Sequence, residues 1–564
     1  MFKYRWILLG GLLCSFSLGC SAKSDAKPKA QAKPAVEAAP AEAQVVAAKE
    51  APEIEVIPPA PPELTVKPAA TSDEPAKLPF SATPLEPLPI APSVANDASA
   101  QVAQVKAVAE GEVPAVFVGW AKPKLALVLT GELDGYIEPC GCAGIENMKG
   151  GLGRRHEMFK DLASRGWPLA AVDVGGQIKR SGPQEEIKFQ SVLGALKSLQ
   201  YAGVGFGTKD LRLPAGDLVS LVSDQGSPMV SANVGLFGVD SGITPKYRVV
   251  EAGGKKLGIT SILGETYQKK VDNKEVEFAA PEAALKEVVA KLKKEADFLI
   301  LLSHATPAES MALARKFPEF HLVVTAGGGD EPPAAPRELE GSKTLIVEVG
   351  HKGMFMCVLG LFDDKDKPWR FQRVPLDKRY KGTPEMKQVM ANYQEHLQLR
   401  GFENLGLKPT AHASGHKFVG SKSCADCHTK ATQVWENTPH GHALDTLVKL
   451  EPARHYDPEC LSCHVVGWRP QAFDAFTSGY LSLEKTAHLQ HVGCENCHGP
   501  GSAHVEAENG DVKLDDAGMK KLRQQMVLKL DAAERTCLEC HDLDNSPKFD
   551  FKEYWKKIEH PGKD

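Results

Sequence analysis

Residues Leu125–Cys142 read LALVLTGELDGYIEPCGC. The first six form a short, nearly continuous apolar run with no polar alternation, which is the pattern of a strand buried on both faces. The glycine-punctuated loop after it carries two carboxylates, Glu132 and Asp134, and two cysteines, Cys140 and Cys142, separated by one residue. Polar loops at the ends of parallel strands are where open α/β sheets collect functional groups. Outward from this stretch the pattern repeats. PLAAVDVGG, GVGFG, PMVSANV, KLGITSIL, DFLILLSHA, HLVVTAGGG, KTLIVEV and MFMCVLGLF read as strands, and EEIKFQSVLGALKSLQ, PEAALKEVVAKLKKEA and PAESMALARKF as amphipathic helices. Residues 119–380 are therefore expected to form one α/β domain.

The remaining chain divides by composition. MFKYRWILLGGLLCSFSLGC places Lys3 and Arg5 before an apolar run and small residues before a cysteine, as an export signal does. Leu18-Gly19-Cys20 resembles the bacterial lipobox, which implies lipidation of Cys20. Ser21 in the next position implies sorting to the outer membrane, so residues 1–20 are read as a lipoprotein signal peptide and the mature chain as periplasmic and lipid-anchored. Residues 21–118 are rich in Ala, Pro, Lys and Glu with little periodicity and read as a disordered tether. Residues 381–413 read as a helical connector, with one helix over about 384–401. The net charge of -5 is small for 564 residues and argues against a nucleic-acid-binding role.

From 414 to 564 apolar periodicity fades and Cys and His become frequent. Eight of the 13 cysteines lie in four motifs. They are CADCH (Cys424, Cys427, His428), CLSCH (Cys460, Cys463, His464), CENCH (Cys494, Cys497, His498) and CLECH (Cys537, Cys540, His541). Cys-x-x-Cys-His is the attachment pattern of haem c: two thiols form thioethers to the vinyl groups and the adjacent imidazole binds iron. Zinc ribbons and disulfides need no histidine after each second cysteine. Four covalent haem c groups, with proximal ligands His428, His464, His498 and His541, would also supply the apolar surface this segment lacks. Nine further histidines in 401–564 are available for the opposite iron face, whereas Met is scarce there.

With FVGSKSCADCHTKATQVWENTPHGHALDTL, YDPECLSCHVVGW, HVGCENCHGPGSAH and CLECH in view, the segment resembles the tetrahaem cytochromes of the cytochrome c-554 type. The resemblance implies His440 and His504 as distal iron ligands. His442 competes for the first role, and His560 or His455 is available for a late ligand of the family. It also implies that the haem on His464 has an open distal face, and that redox donor and acceptor proteins are the partners.

The α/β region resembles the calcineurin-like metallophosphoesterases of the 5'-nucleotidase type, again by its strand ends. TGELDG places Glu132 and Asp134 at the first metal motif, VDVGGQ has Asp173 followed by Gly176 in place of a bridging carboxylate, and GTKDL puts Thr208 and Lys209 where Asn and His belong. LLSHA keeps His304, and TAGGG has glycines at the final histidine pair. A residual metal site would use Glu132, Asp134 and His304. An additional metal is not expected, because the bridging carboxylate and most imidazoles are replaced and Lys209 brings a cation.

Cys140 and Cys142 read as a redox pair or a minor metal site, and Cys357 as core. Arg154 and Arg155 read as solvated arginines beside a turn, with anion binding as the alternative. The fold class is thus an α/β metallophosphoesterase-like layered sandwich joined to a mainly α, haem-packed multihaem cytochrome c domain. The expected function is electron transfer, with a phosphoesterase-like domain that has lost catalysis. A redox enzyme acting on a small nitrogen compound at an open haem, or a metal-dependent phosphoesterase, remains as an alternative.

Overall fold

The computed structural model describes residues 114–139 and 147–563. Cys20, Cys140 and Cys142 lie outside the described residues, as do the signal segment and nearly all of the expected tether. The described residues fall within one compact unit, 101–564.

Among the described residues, thirteen strands in chain order build the α/β part: β1 (Leu125–Thr130), β2 (Leu169–Asp173), β3 (Tyr201–Val204), β4 (Val234–Leu236), β5 (Arg248–Ala252), β6 (Lys255–Leu263), β7 (Val276–Phe278), β8 (Phe298–His304), β9 (Leu322–Thr325), β10 (Arg337–Glu338), β11 (Leu345–Glu348), β12 (Phe355–Leu361) and β13 (Trp369–Pro375). One sheet has the order β13-β12-β1-β2-β3 and a second the order β10-β11-β9-β8-β6-β5. In β1 the side chains alternate between two apolar layers. Leu125, Leu127 and Leu129 face the second sheet's Ile259, Ile300 and Val324, while Ala126 and Val128 belong to a helix-covered outer core. This two-sided burial is why the strand reads as an unbroken apolar run. Parallel pairing of β1 with β2 and of β6 with β8 and β9 sends their carboxyl ends to one rim.

The helices cover the outer faces: α1 (Leu152–Ser164), α2 (Pro183–Ser198), α3 (Ala215–Val222), α4 (Glu265–Gln268), α5 (Pro281–Glu295), α6 (Pro307–Lys316) and α7 (Pro384–Asn404). α1, α2 and α7 contribute Met158, Phe189, Val192, Met390 and Tyr393 to the core outside the first sheet; α5 and α6 bury Leu285, Val288 and Leu313 outside the second. The result is a four-layer α/β/β/α sandwich. The expected connector helix is therefore part of the α/β core, and its helical path breaks at Gly401, whose φ of 64° is accessible without a Cβ penalty. At the other end Phe117 is already buried against Trp120 and Trp167, so packed chain starts slightly before residue 119.

PMVSANV forms less strand than its composition suggests, giving only an isolated bridge at Met229 and the short β4. RVVEA and WRFQRVP form β5 and β13, edge strands whose exposed polar residues hide them from an apolar-run reading. Two further readings change. Arg155 is fully buried, with its guanidinium 3.6 Å from Asp173, and Arg154 is buried with Nη1 donating to the carbonyls of Met148 and Leu376. Neither is a solvated arginine, because the turn before α1 tucks both under the loop that follows β1. Cys357 lies in the inter-sheet core, where burial pushes its thiol up to about 12.

After α7 regular structure shrinks to short helices and a two-stranded ribbon, Trp468–Arg469 with Asp474–Ala475. A small core of Phe418, Leu444, Leu461, Val465, Trp468 and Tyr480 holds this region. No described helix is long and apolar enough to cross a membrane.

Candidate functional site

Each Cys-x-x-Cys-His motif occupies a helical turn, so its two thiols and its imidazole fall on neighbouring faces. Three of the motif histidines have Nδ1 engaged: His464 with the Ala443 carbonyl at 2.6 Å, His498 with the Met526 carbonyl at 2.6 Å, and His541 with Ser546 Oγ at 3.2 Å. Such partners fix the tautomer and direct Nε2 towards a metal.

Three motif imidazoles also face a second histidine. The ring centroids are 6.4 Å apart for His428 and His504, 6.0 Å for His440 and His541, and 5.8 Å for His498 and His560. Opposed imidazoles at these spacings leave room for one iron between them, so the residues present fit a haem held from both faces. Burial holds His440, His498, His504 and His541 below the ordinary imidazole range, to about 4 for His440. The neutral form, which carries the metal-binding lone pair, is thereby favoured.

The partner histidines are set by local structure. His440 sits in the turn Pro439–His442; its carbonyl accepts from Val492 N, and Trp435 Nε1 donates to the Val492 carbonyl at 2.8 Å. His442 turns away: its Nε2 donates to the Glu436 carbonyl at 3.0 Å, and its ring meets His491. Of the two, His440 is the one that faces a motif histidine, His541. His504 lies in the helix Ser502–Glu508, and His560 follows the helix Phe551–Ile558. His455 lies against Tyr456, with ring centroids 4.0 Å apart and the planes tilted by 40°.

Glu495, inside the third motif, is buried and accepts from Val419, Gly420 and Gly501 backbone N–H groups, clamping the approach to the first motif against the third. Its signal in the sequence is only an acidic residue within a motif.

The thiols define which motifs adjoin. Cys424 and Cys494 are within hydrogen-bond reach, which favours the thiolate of Cys494 and brings it down to about 6. Cys540 is likewise in reach of Cys463, and Cys497 is close enough to feel Cys537 and Cys494. The motifs therefore adjoin in the spatial order first, third, fourth, second, although they are read first to fourth along the chain. Among the described residues no motif cysteine is in a disulfide.

The rim of the α/β sandwich holds a second cluster. Glu132 and Asp134 both adopt left-handed backbone, φ 45° and 52°, which non-glycine residues adopt at an energetic cost. Gly176 approaches so closely that a Cβ there would come within 3.2 Å of Glu132 Cα. Lys209 Nζ donates to Asp134 Oδ1 at 2.9 Å, and His351 Nδ1 lies 3.0 Å from Asp134 Oδ2 with its Nε2 3.5 Å from Glu132 Oε2. Burial raises the Glu132 carboxyl to about 7, and the hydrogen bond to Asp134 raises His351 to about 9.

His304 is buried, its Nδ1 3.2 Å from the Val174 carbonyl and its Nε2 accepting from Thr208 N, and burial lowers it to about 4. Asp210 is a buried scaffold whose carboxylate accepts from the backbone N–H groups of Gly176, Gln177, Ile178 and Gly207. Among the described residues no group of three or more His, Cys, Asp or Glu is arranged to hold a metal ion. The structure does bring Glu132, Asp134 and His304 to one rim, but Lys209 and His351 already occupy the carboxylates. His351 was missed because it follows β11, outside the family motifs; VEVGHKG at a strand end was its available signal.

The two parts meet through charge. Asp544, three residues after His541, receives Tyr136 Oη at 2.8 Å and pairs with Lys352. Glu459, next to Cys460, pairs with Lys188 at 2.6 Å and with Arg180. Arg454 pairs with Glu138 at 2.7 Å, and Asp457 accepts from Gln184 and Gln394, each at 2.9 Å. The α/β part thus grips the surroundings of the second and fourth motifs.

Four attachment motifs, three of them with a second histidine opposed to the motif imidazole, fit a c-type cytochrome domain. Residues 423–499 match the family described as cytochrome c554 and c-prime. Cytochrome c-554 of Nitrosomonas europaea is 30% identical over 166 residues, a match spanning 26% of this chain and 65% of that protein. Among solved structures, the chain is similar to a 5'-nucleotidase precursor from Thermus thermophilus (20% identity, TM-score 0.43, 53% of this chain and 62% of that one). It is also similar to the NAD nucleotidase of Haemophilus influenzae (14% identity, TM-score 0.41, 53% and 64%). The chain therefore spans less than two thirds of each of these relatives.

Proposed function

We propose that this chain is a periplasmic, lipid-anchored electron-transfer protein in which four haem c groups relay electrons between redox partner proteins. The observation that carries the reading is the coincidence of four attachment motifs with histidines opposed across three of them. In this reading His428 and His504 hold the first haem, His498 and His560 the third, and His541 and His440 the fourth, while His464 supplies the proximal ligand of the second. Two strong axial imidazoles favour electron passage over substrate binding at the iron. The order in which the motifs adjoin gives a continuous path, first to third to fourth to second. The α/β domain acts as the rigid platform on which that path is fixed.

Hydrolysis is disfavoured by the ammonium of Lys209 on Asp134, which places a cation where a two-metal centre needs its own. Membrane attachment rests on Cys20 in its lipobox-like context and the apolar run before it.

The test is expression with haem-maturation machinery, followed by intact mass and pyridine haemochrome measurement. Four haems per chain and dithionite-reducible, low-spin spectra are expected. Protein lacking covalent haem would end this reading. Palmitate labelling lost in Cys20→Ser tests the anchor.

A further inference from the structure

Lys352 belongs to the α/β domain and Asp544 to the cytochrome domain, yet the two side chains are paired. Asp544 sits in a turn closed on the fourth motif. Asp542 Oδ1 accepts from Asp544 N at 3.0 Å and from Asn545 N at 2.8 Å, Ser546 N donates to the Asp542 carbonyl, and Ser546 Oγ reaches His541 Nδ1. Lys352 is equally constrained from its own side. Its N–H donates to the Glu132 carbonyl at 2.7 Å, its φ is 58°, and the preceding residue, His351, is held by Asp134. A non-glycine residue kept in left-handed backbone and tethered at both ends is a position the fold has over-determined.

We propose that Lys352 is a positioning residue for the fourth haem: by neutralising Asp544 and fixing the turn that orients His541, it raises the reduction potential of the iron bound there. The inference rests on the haem-binding reading above. The physical ground is that an uncompensated carboxylate near a haem favours the ferric state, and that partners of an axial ligand tune the metal. Tyr136 Oη, 2.8 Å from Asp544, and Lys179, 3.9 Å away, belong to the same cradle, so the α/β domain supplies three groups to one carboxylate.

The experiment is redox potentiometry of full-length, haem-loaded protein with Lys352→Met, Lys352→Arg, Asp544→Asn and the double variant Lys352→Met/Asp544→Asn. His440→Met identifies the fourth haem through its altered low-spin signature. The midpoint of that haem is expected to fall in Lys352→Met, to return towards wild type in Lys352→Arg, and to rise in Asp544→Asn. The double variant should lie closer to wild type than Lys352→Met.

A loss of folding alone would not reproduce opposite shifts from the two single variants. Should Lys352→Met fail to fold, the nearly isosteric Asp544→Asn carries the test by itself. Unmoved midpoints with normal haem content, or a shift assigned to another haem, would overturn the inference. Absent haem would instead defeat the electron-transfer reading before any titration.

Discussion

Lys209 Nζ lies 2.9 Å from Asp134 Oδ1 and makes an internal ion pair at the rim where the chain resembles a weakened metal motif. The other oxygen of Asp134 is held by His351, so neither is left for a divalent cation. The melting temperature of the protein should therefore be insensitive to added manganese. Lys209→Ala frees one oxygen and should introduce a metal-dependent rise, because a ligand that binds the native state stabilises it. A wild-type melting temperature that climbs with manganese would show that the ion pair yields to metal.

The rim should also set a pH dependence. His351 is raised to about 9 by its bond to Asp134, so its stabilising contribution is complete below about 6.5, its ordinary value, and is lost as pH rises through 9. Glu132, raised to about 7, acts in the same direction at lower pH, being most favourable when neutral. Denaturant midpoints should fall between about pH 4.5 and about 9.5, and His351→Gln should flatten the part of that decline above about pH 6.5. A midpoint that rises over this window would contradict the assigned sign.

Each partner histidine should report on one iron. His504→Ala, His440→Ala and His560→Ala are each expected to convert a single haem from low to high spin, measured by electron paramagnetic resonance, without loss of covalent haem. His442→Ala should leave the low-spin population intact, since its Nε2 is spent on Glu436.

The buried interface pair offers a stability test. Lys188 is 2% exposed and pairs with Glu459 at 2.6 Å and with Glu185 at 3.2 Å. Removing the cation leaves Glu185 and Glu459 with Arg180 as their remaining partner, so the cost should fall below the ~3–5 kcal/mol of a buried ion pair left fully uncompensated. Lys188→Met should loosen the grip on the second motif, seen as faster limited proteolysis around residues 405–415. Unchanged proteolysis and denaturation would mean that Arg180 alone suffices.

In the sheet core, Leu127→Ala removes a fully buried side chain between the two sheets. A cost of about 2–5 kcal/mol is expected from lost transfer energy and the cavity left behind, read as a lower denaturant midpoint with haem spectra unchanged.

What could be read from the chain follows from local physics. LALVLT pointed to a strand buried on both faces because successive side chains point to opposite layers and nearly all of them are apolar. Cys-x-x-Cys-His pointed to haem because one helical turn presents both thiols and the imidazole. The resemblance carried by WENTPHGH and GPGSAH implied His440, with His442 as competitor, and His504 as distal ligands. Edge strands such as RVVEA escaped because their solvent face breaks the apolar pattern.

Other relationships join residues far apart in sequence. That His560 faces His498, that His440 rather than His442 turns to His541, and that the motifs adjoin as first, third, fourth, second are consequences of chain crossing, which no spacing rule encodes. His351 reached Asp134 from 217 residues away, and Arg155, read as solvated, was drawn beneath the loop to meet Asp173. Residue order alone pointed to the candidate chemistry: haem attachment, a weakened metal motif and the strands that carry it. How those groups are used is a matter of packing. Charge and coordination act through distance, and only the folded chain brings Lys209 onto Asp134 and Lys352 onto Asp544.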